Sequence, residues 1–404
     1  MSPHAHRLRQ LAREAAPSAV ELRRDLHRHP EIGWTERRST YRVAEALRSL
    51  GLDPQVRQDG VGLTVEIGRD APRVGFRADL DGLPVEEESA VPYRSQVPGV
   101  MHACGHDAHT AIAVGIAHVL SRLPELPGSV RLVFQPAEEQ LPSGAIAVCD
   151  EGATVGIRSF LAFHVDPALE AGRVGLRVGP ITSASDKLSI ELRGPGGHTS
   201  RPHRTVDLIN VAARVVAELP VRLREVVDPR HTMVMVFGKI AGGTADNAIP
   251  TTVSMGGTVR VLDTDLWRSL PKLVDQALGE IVTPFGATAT LDYHQGAAPV
   301  NNHRDVIESV REAALETLGR DSVVPTHQSL GSEDFSWFIQ DLPGAMIRLG
   351  AALPDRTVDL HSATFDIDES AIETGVLVGT AALLRMLEPD APVESISDRG
   401  SGPG

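Results

Sequence analysis

A chain of 404 residues exceeds what one hydrophobic core ordinarily organises, so two domains are the natural reading. Hydrophobic residues make up 42% and charged residues 23%, a globular balance. A net charge of -14 argues against a nucleic-acid or anionic-membrane partner, which would need a basic face. Two cysteines, Cys104 and Cys149, are too few for a disulfide framework, which predicts a reducing, cytoplasmic setting. The His- and Arg-rich start, Met1 to Glu36, lacks a signal-like apolar run. No window reads as the roughly 18 apolar residues of a membrane span.

Residues 5–28 place Leu8, Leu11, Ala15, Val20, Leu22 and Leu26 at helical spacing, with Pro17 predicting a break. A second helix is expected from Thr35 to Leu50, stopped by Gly51. Gly62–Ile67 and Val74–Ala78 read as strands. Asp107 to Leu123 has the pattern of a helix, with Asp107 as its N-cap. Val130–Gln135 is a buried strand closed by Pro136, Gly144–Glu151 a short helix with Cys149 in the core, and Ser159–Val165 a strand ending near His164. This alternation predicts an α/β fold with a mostly parallel sheet, whose ligands sit beyond the carboxyl ends of the strands. Asp79, Glu138, Glu139 and His164 all fall at or just after such ends.

The pattern changes after Gly179. Strand, helix, two strands, helix and strand follow (187–193, 205–219, 232–240, 252–262, 265–282 and 288–293), which is a βαββαβ α+β layer. Helix and strand alternation resumes with 305–318, 346–350 and a last helix at 369–387. The simplest organisation is a discontinuous catalytic domain, residues 1–182 and 295–388, interrupted by an inserted domain at 183–294. A Pro-, Ser- and Gly-rich tail, 389–404, is expected to be disordered.

Chemistry concentrates in Met101-His102-Ala103-Cys104-Gly105-His106-Asp107. Residues two apart do not share a helix face, so Cys104 and His106 belong on a loop feeding the helix, whose positive end would favour a thiolate. Thiolate, imidazole and carboxylate together suit a divalent transition metal better than calcium or magnesium. An isolated Cys-x-His is more often a structural cysteine beside a surface histidine; the accompanying Glu138-Glu139, His164 and His361 shift that balance. In Gln135-Pro136-Ala137-Glu138-Glu139, neighbouring side chains on extended backbone point different ways. One carboxylate can bind metal while the other takes a proton from the attacking water. A lone Glu-Glu pair, by contrast, is usually a solvated acidic loop, and a lone His at such positions is usually solvated too. Asp79 reads as a carboxylate behind the ligands that orients an imidazole, or otherwise as a turn residue. In the inserted domain, Gly194 to Ser200 is a glycine-rich turn presenting His198, without the Gly-Lys-Ser/Thr of a phosphate loop. Asn247 and Arg260 together are suited to holding a carboxylate, although Arg260 alone would read as a surface residue.

Six motifs in order carry a resemblance: Arg24-Asp25-Leu26-His27-Arg28-His29-Pro30-Glu31, Arg77 to Pro84, Met101 to Asp107, Gln135 to Glu139, Gly196-Gly197-His198 and Ser332-Glu333-Asp334-Phe335. With them the chain resembles the M20 metallopeptidase and aminoacylase family. Within it, the chain looks most like the branch of hippurate hydrolases, N-acyl-amino-acid amidohydrolases and auxin-conjugate hydrolases. The resemblance implies two divalent transition-metal ions per subunit (zinc, manganese, nickel or cobalt) on Cys104, His106, Glu139, His164 and His361, with Cys104 bridging. It implies Glu138 as catalytic base, Asp79 as a supporting catalytic residue and His198 as oxyanion stabiliser. Asn247 and Arg260 would hold the substrate carboxylate. The implied activity is hydrolysis of a small-molecule N-acyl or N-aroyl amino acid by a homodimer or higher homo-oligomer, the inserted domain serving as lid and dimer surface. A dipeptidase or N-acetyl-diaminopimelate deacetylase would use the same chemistry, and a silent metal- or small-molecule-binding protein is the reading from another class. Two departures stand out. The wider family carries a metal-binding His where this chain has Arg77, and Thr199 follows His198 where many members have Ala.

Overall fold

The computed structural model describes residues 3–69 and 73–388; the 389–404 tail expected to be disordered lies outside the described residues. The chain forms two compact units. The first runs as far as Gly179 and resumes with Asn301–His327 and again from Trp337; the second comprises Pro180–Val300 and Gln328–Ser336.

The first unit is built on an eight-stranded sheet. Its centre is parallel: Val74–Asp79 pairs with both Val130–Gln135 and Ser159–Glu170, and the latter pairs with Gly344–Ala352. Leu63–Ile67 joins antiparallel at one side. Val74–Asp79 is buried along its whole length, as a strand covered on both faces must be. Helices Pro3–Arg28, His106–Ser121 and Ser370–Leu387 pack on one another, and Arg304–Thr317 packs on the last of these. Fully buried Phe76, Phe134 and Phe160 anchor the sheet, each side chain contributing about 1.5–3 kcal/mol through loss of apolar surface to water.

Three local expectations are corrected. The first helix runs unbroken through Pro17. Its stripe of Leu8, Leu11, Ala15, Ala19, Leu22 and Leu26 stays buried on both sides of the proline, and that packing offsets one missing hydrogen bond. Ser370–Leu387 is long and apolar enough to cross a membrane by composition, with mean hydropathy 1.4, but 83% of it is buried inside the protein as a core helix. His164 does not end its strand, which continues to Glu170; pairing with Val74–Asp79 stops at Ala162, so His164 stands just beyond its neighbour's reach.

The second unit has a four-stranded antiparallel sheet in the order Met233–Gly242, Thr252–Val261, Asp186–Arg193, Thr288–His294. Asp186–Arg193 alternates, burying Leu188, Ile190 and Leu192 under helices Leu208–Val226 and Thr264–Val282. Both helices start on aspartate caps, Asp207 accepting from the Asn210 amide and Asp263 from the Leu266 amide. Asp186 is buried and accepts three hydrogen bonds, from Trp267 Nε1 (3.0 Å), Tyr293 Oη (2.8 Å) and the Gly296 amide (3.0 Å). Those bonds fasten the first strand to the end of the last.

Candidate active site

Cys104 and His106 are held apart by a left-handed backbone that favours glycine. Gly105 caps the helix at φ +85°, and a Cβ there would lie 2.3 Å from Val165 Cγ2. The helix begins at His106, so Asp107 falls inside its first turn and is not the N-cap. Its carboxylate turns into the core, where Oδ2 accepts from Arg23 Nε and His27 Nδ1, both at 2.8 Å. Arg23 also binds Asp366 (2.8 Å) and Glu369 (3.2 Å), tying the first helix to the start of the last. Burial opposes charge at Asp107, yet Arg23 and His27 hold it far below the usual carboxylate range.

Around this corner the structure gathers the five expected ligands. Donor atoms of Cys104, Glu139 and His361 lie within 4.8 Å of one another, as do those of His106, Glu138 and Glu139. Cys104 Sγ is 3.5 Å from His164 Nε2, and His361 Nε2 is 3.1 Å from Glu139 Oε1. His361 adopts φ +62° and its amide donates to the Ala103 carbonyl at 2.8 Å, which docks its loop beside Cys104.

The residues fit a transition-metal ion on three grounds. His106 Nδ1 donates to the Asp81 carbonyl (2.9 Å) and His164 Nδ1 to the Val165 carbonyl (2.8 Å). A carbonyl only accepts, so each Nδ1 carries the hydrogen and each Nε2 keeps its lone pair for a metal. Second, His361 and Glu139 face each other; Glu139 raises the His361 pKa, so a positive charge is favoured between them. Third, the thiol, three imidazoles and a carboxylate are a mixed set of the kind zinc and its neighbours accept. Cys104 departs from expectation: burial pushes its thiol up to about 12, so the helix start does not by itself produce a thiolate, and a cation is needed to release the proton. His106 is pushed the other way. Burial works against its charge, but Asp79 and Asp81 raise its pKa well above the usual value.

His109, which the sequence reading passed over, is excluded as a ligand despite lying with Asp79 and His106 in one cluster. Its Nε2 accepts from the Val165 amide (2.9 Å), so its Nδ1 donates to Asp79 Oδ1 (2.7 Å) and no lone pair remains. The imidazole that Asp79 orients is therefore His109, with His106 Nε2 at 3.7 Å from its other oxygen. Arg77, fully buried, donates to Asp79 Oδ2 (2.6 Å) and Gln135 Oε1 (2.7 Å). Burial would raise Asp79, but His106, His109 and Arg77 overcome it and hold the carboxyl well below its usual range.

Asp81 was also missed. Its Oδ1 accepts the Glu138 amide (3.1 Å) and its Oδ2 the Glu139 amide (3.0 Å), while its carbonyl holds His106. The signal was present: a second acid two residues after Asp79 on the same strand exit. Cys149, expected in the core, is half-buried in the Gly144–Asp150 helix.

In the second unit His198 lies on a two-stranded ribbon, Gly197–His198 against Ala248–Ile249, and Asn247 is in the turn just before its second strand. His198 is exposed; its Nδ1 accepts from the Ser200 amide (3.1 Å), leaving Nε2 as a hydrogen donor. The Thr199 amide donates to the Asn247 carbonyl at 3.1 Å. An open depression of about 610 Å³ beside the ribbon is lined by Thr199, Asp207, Gly243 and Asp246 among others. Arg260 lies on Thr252–Val261 and donates to the Leu330 carbonyl.

A putative glutamate–cysteine ligase 2-3 of Rhodococcus jostii is 43% identical over 88% of this chain, but this chain spans only 45% of that protein, about half its length. A probable hydrolase of Synechocystis is 39% identical, covering 92% of this chain and 96% of the relative. An N-acetyl-L-cysteine deacetylase of Bacillus subtilis is 34% identical over 87% of this chain and 84% of its own. Among solved structures, the Bacillus subtilis YXEP protein, described as a dinuclear metal binding peptidase from the M20 family, superposes with a TM-score of 0.82 at 30% identity, covering 93% of this chain and 99% of its own. Residues 75–385 match peptidase family M20/M25/M40, and the chain belongs to that family.

Proposed function

We propose that this chain hydrolyses the amide bond of N-acyl or N-aroyl amino acids, giving a carboxylic acid and a free amino acid. The observation that carries the reading is Glu138: its carboxylate sits within 4.8 Å of donor atoms of His106 and Glu139, and its own amide is anchored on Asp81. A carboxylate so placed is available as a base beside a metal cradle. Family membership and the likeness to an N-acetyl-L-cysteine deacetylase support the substrate class. Two divalent ions from zinc, manganese, nickel and cobalt would be held by Cys104, His106, Glu139, His164 and His361. When bound they would polarise the scissile carbonyl and make water a stronger acid. The remaining chemistry belongs to the side chains. Glu138 takes a proton from the attacking water onto a carboxylate oxygen as the C–O bond forms. It then delivers that proton to the nitrogen as the C–N bond breaks. Asp79 fixes His109 and so the backbone at Val165, next to His164. His198 Nε2–H is the proposed donor to the developing oxyanion, and Asn247 and Arg260 the proposed partners of the substrate carboxylate. We further propose a cytoplasmic homodimer or larger homo-oligomer, a discontinuous catalytic domain at 1–182 and 295–388, and an inserted lid and dimerisation domain at 183–294.

The test is release of free amine from a panel of N-acetyl, N-benzoyl and dipeptide substrates, with and without a chelator. Chelator-sensitive hydrolysis of N-acyl amino acids is expected. Hydrolysis of dipeptides alone would reassign the substrate class, and no hydrolysis of any member would overturn the enzymatic reading.

A further inference from the structure

Three consecutive backbone amides lead into and include the Glu138-Glu139 pair, and each is held by a buried side-chain carboxylate. The Ala137 amide donates to Glu36 Oε1 at 2.7 Å, the Glu138 amide to Asp81 Oδ1 at 3.1 Å, and the Glu139 amide to Asp81 Oδ2 at 3.0 Å. Glu36 is 0% exposed and Asp81 1%. Glu36 comes from the turn before helix Arg37–Ser49, 101 residues away from Ala137 in sequence, and Asp81 from the exit of strand Val74–Asp79. Their carriers are tied together: Ile32 and Gly82 form a parallel bridge, and the Gly82 amide donates to the Glu31 carbonyl at 2.7 Å.

The segment being held needs holding. Ala137 sits at φ +51°, a left-handed region that residues with a Cβ enter at a cost and hold only when their surroundings fix them there. Its amide is on Glu36 and its carbonyl accepts from the Gly144 amide at 3.0 Å. Gly144 has no room for a side chain, since a Cβ would lie 1.7 Å from the Pro136 carbonyl oxygen. The turn at Ala137 directs the chain out of strand Val130–Gln135 so that Glu138 and Glu139 present their carboxylates differently.

We propose that Glu36 and Asp81 are positioning residues, a two-carboxylate clamp that fixes the Ala137–Glu139 backbone and so sets Glu138 as base and Glu139 as ligand. This rests on the role proposed for Glu138. The two arms differ in a testable way. Glu36 uses one oxygen, which a glutamine reproduces. Asp81 uses both, and an asparagine would turn an NH2 toward an amide hydrogen. Burial also raises Glu36 to about 8, so its neutral form resembles the glutamine amide in charge.

The experiment compares wild type with Glu36→Gln, Glu36→Ala and Asp81→Asn by peptide-resolved hydrogen exchange of the metal-loaded full chain, with zinc affinity and steady-state kinetics alongside. Glu36→Gln should keep wild-type exchange in the peptide covering residues 137–139 and wild-type kcat within about threefold. Glu36→Ala and Asp81→Asn should speed exchange in that peptide specifically and lower kcat about 10–100-fold, the range seen when partners behind metal ligands are removed. KM should move far less. Asp81→Asn should also weaken zinc binding, because Asp81 holds His106 as well. Unchanged exchange in both impaired variants would overturn the clamp, as would Glu36→Gln being as impaired as Glu36→Ala. If Glu36→Ala does not fold, Asp81→Asn against Glu36→Gln decides the matter. Should wild type hydrolyse no substrate, the proposed activity fails, while the exchange and zinc data still decide the clamp.

Discussion

The Cys104 cluster and the His198 ribbon are both assigned to chemistry, yet they are built in opposite ways. Cys104, His106 and His164 are buried, and both imidazoles are fixed by a carbonyl that leaves one nitrogen free. His198 is exposed on a short ribbon and Asn247 in the exposed turn beside it, with Ser200 as the neighbour that orients the imidazole. Burial makes the first region expensive to assemble and gives it a fixed geometry, because every polar group there must find a partner. Exposure makes the second cheap to hold and free to adapt. The buried ligands and their supports should therefore govern stability and metal binding together, and the second region should govern turnover and recognition without touching the fold; Glu138, half-buried among the ligands, should govern turnover alone.

The strongest way to sharpen this contrast is Glu138→Gln. It should lower kcat by about 10²–10⁴-fold while leaving metal content and unfolding midpoint at wild-type values. Near-normal turnover would remove the proton-transfer role. Arg23→Met probes the buried side directly: it removes the fully buried guanidinium that Asp107, Asp366 and Glu369 share, leaving Asp107 to His27, and should cost about 3–5 kcal/mol in denaturant unfolding. A loss under 1 kcal/mol, on the scale of about the median surface ion pair, would say that this network is not structural. His198→Ala belongs to the other side and should lower kcat by about 10²-fold with no change in midpoint or metal binding. Loss of stability in that variant would break the distinction between the regions. Arg260→Ala should raise KM about tenfold for substrates with a free carboxylate, the worth of one charge-assisted bond, and less for their esters. Equal effects on acids and esters would argue against carboxylate recognition.

The gentlest probe is pH. Glu36 is raised by burial from 4.5 to about 8 in the folded chain. Between those values the unfolded chain has released this proton and the folded chain has not, so wild type loses stability as pH rises through that window. Glu36→Gln removes the dependence. The two proteins should unfold alike near pH 4.5, and the variant should be the more stable above pH 8. Parallel curves would show that Glu36 does not titrate differently in the two states.

Much of this was legible because periodicity and spacing are local. Alternating apolar residues in Asp186–Arg193 and an apolar Val130–Phe134 interrupted only by Arg131 each report a strand and the faces it buries. The five proposed ligand positions were reached through the family resemblance that the motifs carry, Glu139 and His164 also through their places at or just after strand ends. What stayed hidden depends on tertiary partners. Asp107 reads as a helix cap until Arg23 and His27 arrive from the first helix. Glu36 reads as an acid in the first turn of the Thr35–Leu50 helix; the structure starts that helix at Arg37 and sets Glu36 before it, on the Ala137 amide. Nothing in the sequence singles out His109; its role follows only from its two partners, Asp79 and the Val165 amide, which leave no lone pair for a metal. Pro17 reads as a helix end because local propensity says nothing about the packing that carries the helix past it.

The most direct measurement is titration of the metal-free protein with Co²⁺, following thiolate-to-metal absorption and proton release, in wild type and Cys104→Ser. Cys104 is neutral in the bare protein, its thiol raised to about 12 by burial, so metal binding must expel its proton. Ligation by Cys104 predicts saturation near two ions per chain with a thiolate absorption band and a released proton. Cys104→Ser should lack the band and bind more weakly. Binding of two ions without a thiolate band, or no binding at all, would contradict the metal centre on which the proposed hydrolysis depends.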